Sequence, residues 1–350
     1  MAGGETAENI GFELMGCPAI SVAMSVYNGE RFLAEAIRSV LSQSFADFEL
    51  LILDDGSNDG TRAIIEAFAA SDARIRPIIR QNCGLIVSLN QLIAEARAPI
   101  IARMDADDIC MPERFARQLA FLATHPEIGV IGSWCEDIDE HGAPWPTNPN
   151  QPRHPTTHAA FLEAIDNGWP LLCHPAVMFR RELVLSVGGY HTAFKHCEDL
   201  DLWLRLASVT QIASMPEPLI RYRHYADQVS SRHATEQQIG AAVAKLAYSE
   251  RLAGRIDPTA NLELLPPIDQ LDAMFGREGI SREVRARVAP GIVYSKAGLR
   301  DEGFDLLIRY LGEGGKHAGM WRTVLRLIRF GEPGRAMRLA TTLASTLAVG

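Results

Sequence analysis

The stretch Phe48-Glu49-Leu50-Leu51-Ile52-Leu53-Asp54-Asp55-Gly56-Ser57-Asn58-Asp59-Gly60-Thr61 decides the fold. Residues 48–53 form an apolar run of strand length, the next residues are turn formers, and 59–69 return to helical periodicity. A strand that ends in a polar loop and passes into a helix is the repeating unit of parallel α/β sheets. Working outward, residues 20–26 read as a strand and 31–42 as a helix with Phe32, Leu33, Ile37, Val40 and Leu41 as its apolar positions. Downstream, 75–79 and 100–104 read as strands with a helix over 85–96 between them, and Pro112 opens a helix running to about residue 122. A strand over 128–134 is followed by Pro144, Pro146, Pro149, Pro152 and Pro155, the mark of a long loop. Val177 to Phe179 begins the next ordered piece, Gly188 and Gly189 make a turn, and 198–207 reads as a helix.

From Thr235 the pattern turns helical, punctuated by Pro258, Pro266, Pro267, Pro290 and Pro333, with hairpins expected over 293–311 and 321–347. The expectation is therefore an α/β unit over 19–231, preceded by a frayed leader at 1–18 and followed by an α-helical region over 232–350. A chain of 350 residues with 47% hydrophobic and 22% charged residues belongs with soluble globular proteins. No run approaches the roughly eighteen uninterrupted apolar residues of a spanning helix. The leader carries Glu5, Glu8 and Glu13 and no basic n-region, so it does not read as a secretory signal. The six cysteines show no C-x-x-C pair and no zinc-like spacing with histidine, which predicts reduced thiols and a cytoplasmic protein. A formal charge of -9 argues against nucleic acid as a partner and requires that any polyanionic ligand meet local counter-charge or a metal.

In open parallel sheets, ligands bind beyond the carboxyl ends of the strands. Three such ends carry polar loops here: Ser25-Val26-Tyr27-Asn28-Gly29, Asp54 to Thr61, and Asp105-Ala106-Asp107-Asp108. The plain reading of the second is a turn with a helix cap. Its carboxylates are also suited to accept hydrogen bonds from a base N–H or a ribose hydroxyl. The loop lacks the G-x-G-x-x-G fingerprint, which disfavours a dinucleotide cofactor. Three acids within four residues repel one another, a pattern better explained by a divalent cation such as Mg²⁺ or Mn²⁺ than by a solvated cap.

At this point the chain resembles the family 2 glycosyltransferases, inverting enzymes with the GT-A fold, a Rossmann-like mixed and mainly parallel sheet flanked by helices. The resemblance rests on Ser25-Val26-Tyr27-Asn28, Leu41-Ser42-Gln43-Ser44-Phe45, Asp54-Asp55-Gly56-Ser57, Asn82, Gly84, Leu89, Asn90 and Asp105-Ala106-Asp107-Asp108, in that order. It continues through His174-Pro175-Ala176-Val177-Met178-Phe179-Arg180-Arg181, Gly188-Gly189-Tyr190 and Cys197-Glu198-Asp199-Leu200-Asp201. The resemblance implies a nucleotide-sugar donor, UDP-linked as first choice, held by Ser25, Tyr27, Asp54, Asp55, Asn82, Asp105 and Arg223. It implies a divalent cation, Mn²⁺ or Mg²⁺, on Asp107, and Asp199 as catalytic base. The family pattern Tyr-Arg-x-His, whose histidine is a further metal or phosphate contact, stands here as Tyr222-Arg223-His224-Tyr225, the histidine one position early; the resemblance offers His224 as a metal ligand, and the plain reading is a surface or hydrogen-bonded histidine. Arg221 joins Arg223 as a diphosphate partner, and Asp201 reads as the i,i+4 partner of Arg205.

The function so implied is transfer of a sugar to an acceptor hydroxyl of a glycan or lipid-linked acceptor, in cell-surface glycan or polysaccharide synthesis. A sugar-phosphate nucleotidyltransferase would open with a glycine-rich basic loop where Tyr27-Asn28-Gly29-Glu30 stands. A non-catalytic carbohydrate-binding or scaffold module has no need of Asp55, Asp107 and Asp199 together. In the C-terminal helices, Trp321, Val324, Leu325, Leu327 and Ile328 alternate with Arg322, Arg326 and Arg329, with Arg335 and Arg338 further on. That pattern suits either packing against neighbouring helices or peripheral contact with the cytosolic face of a membrane.

Overall fold

The computed structural model describes residues 17–148, 150, 152–225, 233–316 and 319–349, with side chains to residue 345. Most of the expected leader, and the expected boundary at 231/232, lie outside the described residues. The α/β unit contains the strands β1 (Ile20–Val26), β2 (Phe48–Asp54), β3 (Ile75–Ile79), β4 (Ile100–Asp105), β5 (Ile109–Cys110), β6 (Ile128–Ile138), β7 (Met178–Arg180) and β8 (Gln211–Arg223). They form one eight-stranded sheet in the order β3-β2-β1-β4-β7-β6-β8-β5. The first four positions are mutually parallel, β7 runs antiparallel to both β4 and β6, β8 is parallel to β6, and β5 is antiparallel to β8. The sheet is thus mixed and mainly parallel, as expected.

Alternation along the strands divides the core into two layers. Ile20, Val22 and Met24 of β1 and Leu50 and Ile52 of β2 face the layer beneath α1 (Leu33–Leu41), α2 (Thr61–Ser71) and α4 (Arg114–Thr124). Ala23, Leu51 and Leu53 face the opposite layer, covered by α3 (Leu85–Glu95) and α7 (Glu198–Leu206). That second layer runs without interruption into the helical region, made of α8 (Ala234–Leu252), α9 (Leu271–Phe275), α10 (Ile280–Tyr294), α11 (Gly303–Gly312), α12 (Trp321–Arg329) and α13 (Pro333–Val349). Leu202 and Trp203 of α7 share one cluster with Val243, Val284, Leu307 and Leu327, so the helical region packs as an extension of the core. Among the described residues no helix is long and apolar enough to cross a membrane.

β5, β8, α5 (His158–Asn167) and α6 (Arg181–Ser186) were not foreseen. β8 carries Pro216 and Pro218, which normally demote a strand. Here the register against β6 shifts at Trp134, where Ser133 faces Met215 and Trp134 faces Pro218, so a bulge absorbs both prolines. α5 follows the proline-rich loop, capped by the Thr157 hydroxyl on Ala160 N–H and closed by Gly168 in the left-handed region. The short helix α6 leads into the Gly188-Gly189 turn. A Cβ on Gly189, at φ +70°, would sit 2.5 Å from Asn90 Oδ1, which accepts the Tyr190 N–H. Glycine is required there by both backbone angle and space.

Candidate active site

Register places the expected loops on one edge. Val26 pairs with Asp54 and Ser25 pairs with both Leu53 and Asp105, so the carboxyl ends of β1, β2 and β4 are level. The loops after β1 and β2 are laced together. Asn28 N–H donates to Ser57 Oγ at 2.8 Å, Asn58 N–H donates to Asn28 Oδ1 at 2.9 Å, and Gly29 N–H donates to Thr61 Oγ1 at 2.8 Å. Asp54, buried, accepts the Ser57 N–H and holds the turn. Asp55, also buried, accepts Arg80 Nε and Cys83 N–H on one oxygen and Gly84 N–H on the other. Both of its oxygens therefore shape the 80–84 loop against the sheet edge. A Cβ on Gly56, at φ +81°, would meet the Asn82 backbone nitrogen at 2.6 Å, so the two loops touch there. Tyr27 and Asn82 are exposed at the rim.

Beside this wall, carboxylate oxygens of Asp105, Asp107 and Asp108 all lie within 4.8 Å of one another. Burial and the Asp105 charge push the Asp107 carboxyl up to about 6. Burial and both neighbouring aspartates hold Asp108 well above the usual carboxylate range. One Asp108 oxygen accepts Arg223 N–H, and the other is buried with no hydrogen-bond partner. Crowded, partly unsatisfied carboxylate oxygens are the donor set that hard divalent cations take, so the residues fit Mn²⁺ or Mg²⁺.

Glu198 and Asp199 open α7, Glu198 buried and Asp199 half-buried. Burial first and the Asp199 charge second push Glu198 up to about 7. Burial also raises Asp199, which is opposed by the Leu200 N–H that its Oδ1 accepts and by Arg103. Carboxyls raised in this way are better proton acceptors than ordinary ones. Asp201 stands apart from this chemistry: it is fully buried and pairs with Arg205 at 2.8 Å, as the helix spacing predicts.

Three expected residues take other places. His224 is not in the acid cluster: its Nε2 lies 2.7 Å from Asp137 Oδ1 and its ring stacks on Trp145. The position one residue on is the one that reaches the acids, because Tyr225 donates its phenol hydrogen to Asp107 Oδ2 at 2.8 Å. Arg223 is only 2% exposed, so it presents no open guanidinium to a diphosphate. It donates instead to the Asp107 carbonyl and to the Glu35 carboxylate, both at 2.7 Å, and lies over the Phe32 ring. It therefore braces the acidic loop from behind. Arg221 pairs with Glu136 at 2.9 Å and remains half-exposed.

Sequence reasoning missed Arg103. This guanidinium is 3% exposed, is ion-paired with Asp105, and lowers Asp107, Glu198 and Asp199 electrostatically. The available signal was a charged residue within the otherwise apolar run Ile100-Ile101-Ala102-Arg103-Met104. His174 and Tyr190 sit nearby, 2.8 Å apart, the imidazole held well below its ordinary value by burial and by Arg103.

Comparison with known proteins places this site in context. The model of glycosyl transferase family 2 matches residues 21–188. The putative glycosyltransferase EpsE of Bacillus subtilis is 38% identical over 199 residues, which are 54% of this chain and 66% of EpsE. The amylovoran biosynthesis glycosyltransferase AmsE of Erwinia amylovora is 31% identical over 219 residues, 61% of this chain and 79% of AmsE. The chain thus spans just under two thirds of EpsE and more than that of AmsE. Among solved structures, residues 1–349 of Staphylococcus aureus TarS in complex with UDP-GlcNAc superpose with a TM-score of 0.56 at 17% identity, covering 93% of this chain and 91% of that one. The likeness is one of fold, and the fold is GT-A.

Proposed function

Because the chain belongs to glycosyl transferase family 2, we propose that it moves a sugar from a nucleoside-diphosphate sugar, UDP-linked as first choice, to an acceptor hydroxyl with inversion. The observation that carries this reading is one sheet edge bearing both a crowded acid set and a proton-accepting carboxyl pair. In it, the nucleotide rests on the loops after β1 and β2, near Ser25, Tyr27, Asp54, Asp55 and Asn82. Asp55 contributes mainly by fixing the 80–84 loop, and any base contact uses its remaining acceptor capacity. Asp107, with Asp105 and Asp108, would hold the divalent cation, which when bound would supply Lewis-acid stabilisation of the charge on the departing diphosphate.

Asp199 accepts the acceptor hydroxyl proton as the oxygen bonds to the anomeric carbon and the bond from that carbon to the diphosphate oxygen breaks. Attack opposite the leaving group inverts the centre, as in single-displacement hydrolysis. Similarity to AmsE, an amylovoran biosynthesis enzyme, favours polysaccharide synthesis, and the TarS complex with UDP-GlcNAc favours a UDP-linked donor. A peripheral membrane contact is also proposed, on the strength of α12: Trp321, Leu325 and Ile328 are 48%, 63% and 55% exposed at helical spacing, between exposed Arg322 and Arg329. Val324 and Leu327 pack inward, and Arg326, Arg335 and Arg338 are tied to the protein itself.

The test is a panel of nucleotide sugars screened for Mn²⁺-dependent hydrolysis, with Asp107→Asn as control. Hydrolysis of at least one donor is expected, with loss of Mn²⁺-dependent UDP affinity in the variant. Pyrophosphate release from a nucleoside triphosphate would instead support a nucleotidyltransferase, and unchanged Mn²⁺-dependent affinity in Asp107→Asn would refute the metal assignment.

A further inference from the structure

Close behind the acid-lined edge, near enough for Cys173 to feel Asp105 and Asp108 electrostatically, three soft donors converge. Cys135 on β6, His154 in the proline-rich loop and Cys173 before the short 3-10 turn at His174–Ala176 each place a ligand atom within 4.8 Å of the others. They come from three separate segments, and the neighbouring backbone pins them. Trp134 Nε1 donates to the His154 carbonyl at 3.0 Å, the Arg153 guanidinium lies 4.4 Å over the Trp134 ring, and Ser214 N–H donates to the Pro155 carbonyl at 2.9 Å. His154 Nδ1 is buried without a hydrogen-bond partner, a polar atom left available to a ligand.

We propose that Cys135, His154 and Cys173 bind a thiophilic divalent cation of the zinc class, at a site distinct from the oxygen donors of Asp105, Asp107 and Asp108. Zinc bonds of about 2.3 Å to sulfur and about 2.0 Å to nitrogen set tetrahedral donor separations of roughly 3.4–3.8 Å. Donors already within 4.8 Å of one another need close by only about 1 Å, within reach of side-chain rotation. Solvent completes the tetrahedron. Softness keeps the two sites apart, since thiolates select zinc while carboxylates suit Mg²⁺ and Mn²⁺. Uptake releases the two thiol protons to solvent as two metal–sulfur bonds form. The ion would staple the proline-rich loop to β6 and to the segment leading into β7, which is hydrogen-bonded to β4.

The test uses the full chain, stripped with a chelator and titrated with Zn²⁺, then with Co²⁺. A single tightly bound ion is expected, with a thiolate-to-cobalt charge-transfer band in the near ultraviolet. Cys135→Ser should abolish the band, and His154→Gln should weaken Zn²⁺ binding by at least about tenfold, the minimum seen even for outer-shell losses. Asp107→Asn should keep both. Circular dichroism of His154→Gln guards against a variant that merely fails to fold. No band in the parent chain, unchanged Zn²⁺ binding in folded His154→Gln, loss of the band in Asp107→Asn, or a Cys135–Cys173 disulfide in the purified chain would each overturn the site. None of these readouts depends on a sugar donor, so failure here is separable from failure of the proposed transfer.

Discussion

Replacing Asp199 by Asn should lower sugar transfer or donor hydrolysis by about two to four orders of magnitude, the range for removal of a general base. That loss corresponds to roughly 3–5 kcal/mol added to the barrier. Stability should move the other way. A carboxyl raised in the folded state is a charge the fold disfavours: the penalty is absent at low pH, appears as pH rises past the unfolded value, and is complete above the folded one. Glu198, raised from 4.5 to about 7, carries such a penalty on the order of 3 kcal/mol at alkaline pH, and the Asp199 charge is its second-largest cause. Asp199→Asn removes that charge, so Glu198 should fall toward its ordinary value and the melting temperature should hold or rise. The wild-type rate should climb with pH above the ordinary carboxylate range, because burial raises Asp199 and the base acts ionised. The assay is nucleoside diphosphate release across a pH series, with UDP affinity measured in parallel and expected to be unchanged. Near-normal rates with the acid limb moved to lower pH would refute the assignment and make Glu198 the base. Lost activity with a lowered melting temperature would show that the residue is structural.

Arg223→Gln should destabilise the fold by about 1–3 kcal/mol, because it leaves the Asp107 carbonyl without the buried donor that now satisfies it, while the exposed Glu35 carboxylate returns to water. Chemical denaturation reads this directly, and a change under about 1 kcal/mol would return the residue to the surface-pair class. Leu325→Gln with Ile328→Gln should reduce co-sedimentation with anionic vesicles while leaving donor hydrolysis intact, since both side chains point outward from α12. Equal pelleting of parent and variant, or of neither, would remove the membrane proposal.

The order of elements was legible because its physics is local. Apolar runs at 48–53 and 100–104 ending in aspartates became β2 and β4, and their shared edge follows from parallel pairing through β1. The antiparallel insertion of β7 and the long β8 were not legible, since a three-residue strand has no periodicity and two prolines hide a bulged one. The acids could be recognised from clustering along the chain. What they contact could not, because partners such as Tyr225, Arg223 and Arg103 are set by tertiary register. His224 shows the point at single-residue scale: one step along the chain separates a side chain held by Asp137 from one that touches Asp107. The same holds for Cys135, His154 and Cys173, whose spacing in sequence resembles no metal motif yet whose donors meet in space.

Arg103 gives the site its internal logic. Asp105, Asp107 and Asp108 sit at the end of β4 and Glu198 and Asp199 at the start of α7, and within one low-dielectric region the Asp105 charge disfavours ionisation of the other four. A single buried guanidinium on β4 interacts with both groups, so neither set's charge is independent of the other's. Full compensation would need more cations than the described side chains supply there, and the orphaned Asp108 oxygen together with the unsatisfied Nε of Arg103 marks where compensation stops. In the proposed reaction the missing positive charge arrives with the divalent ion, and the missing proton with the acceptor hydroxyl. A site left short of both in its resting charge balance binds each more strongly than a neutralised one would, at the expense of folding stability.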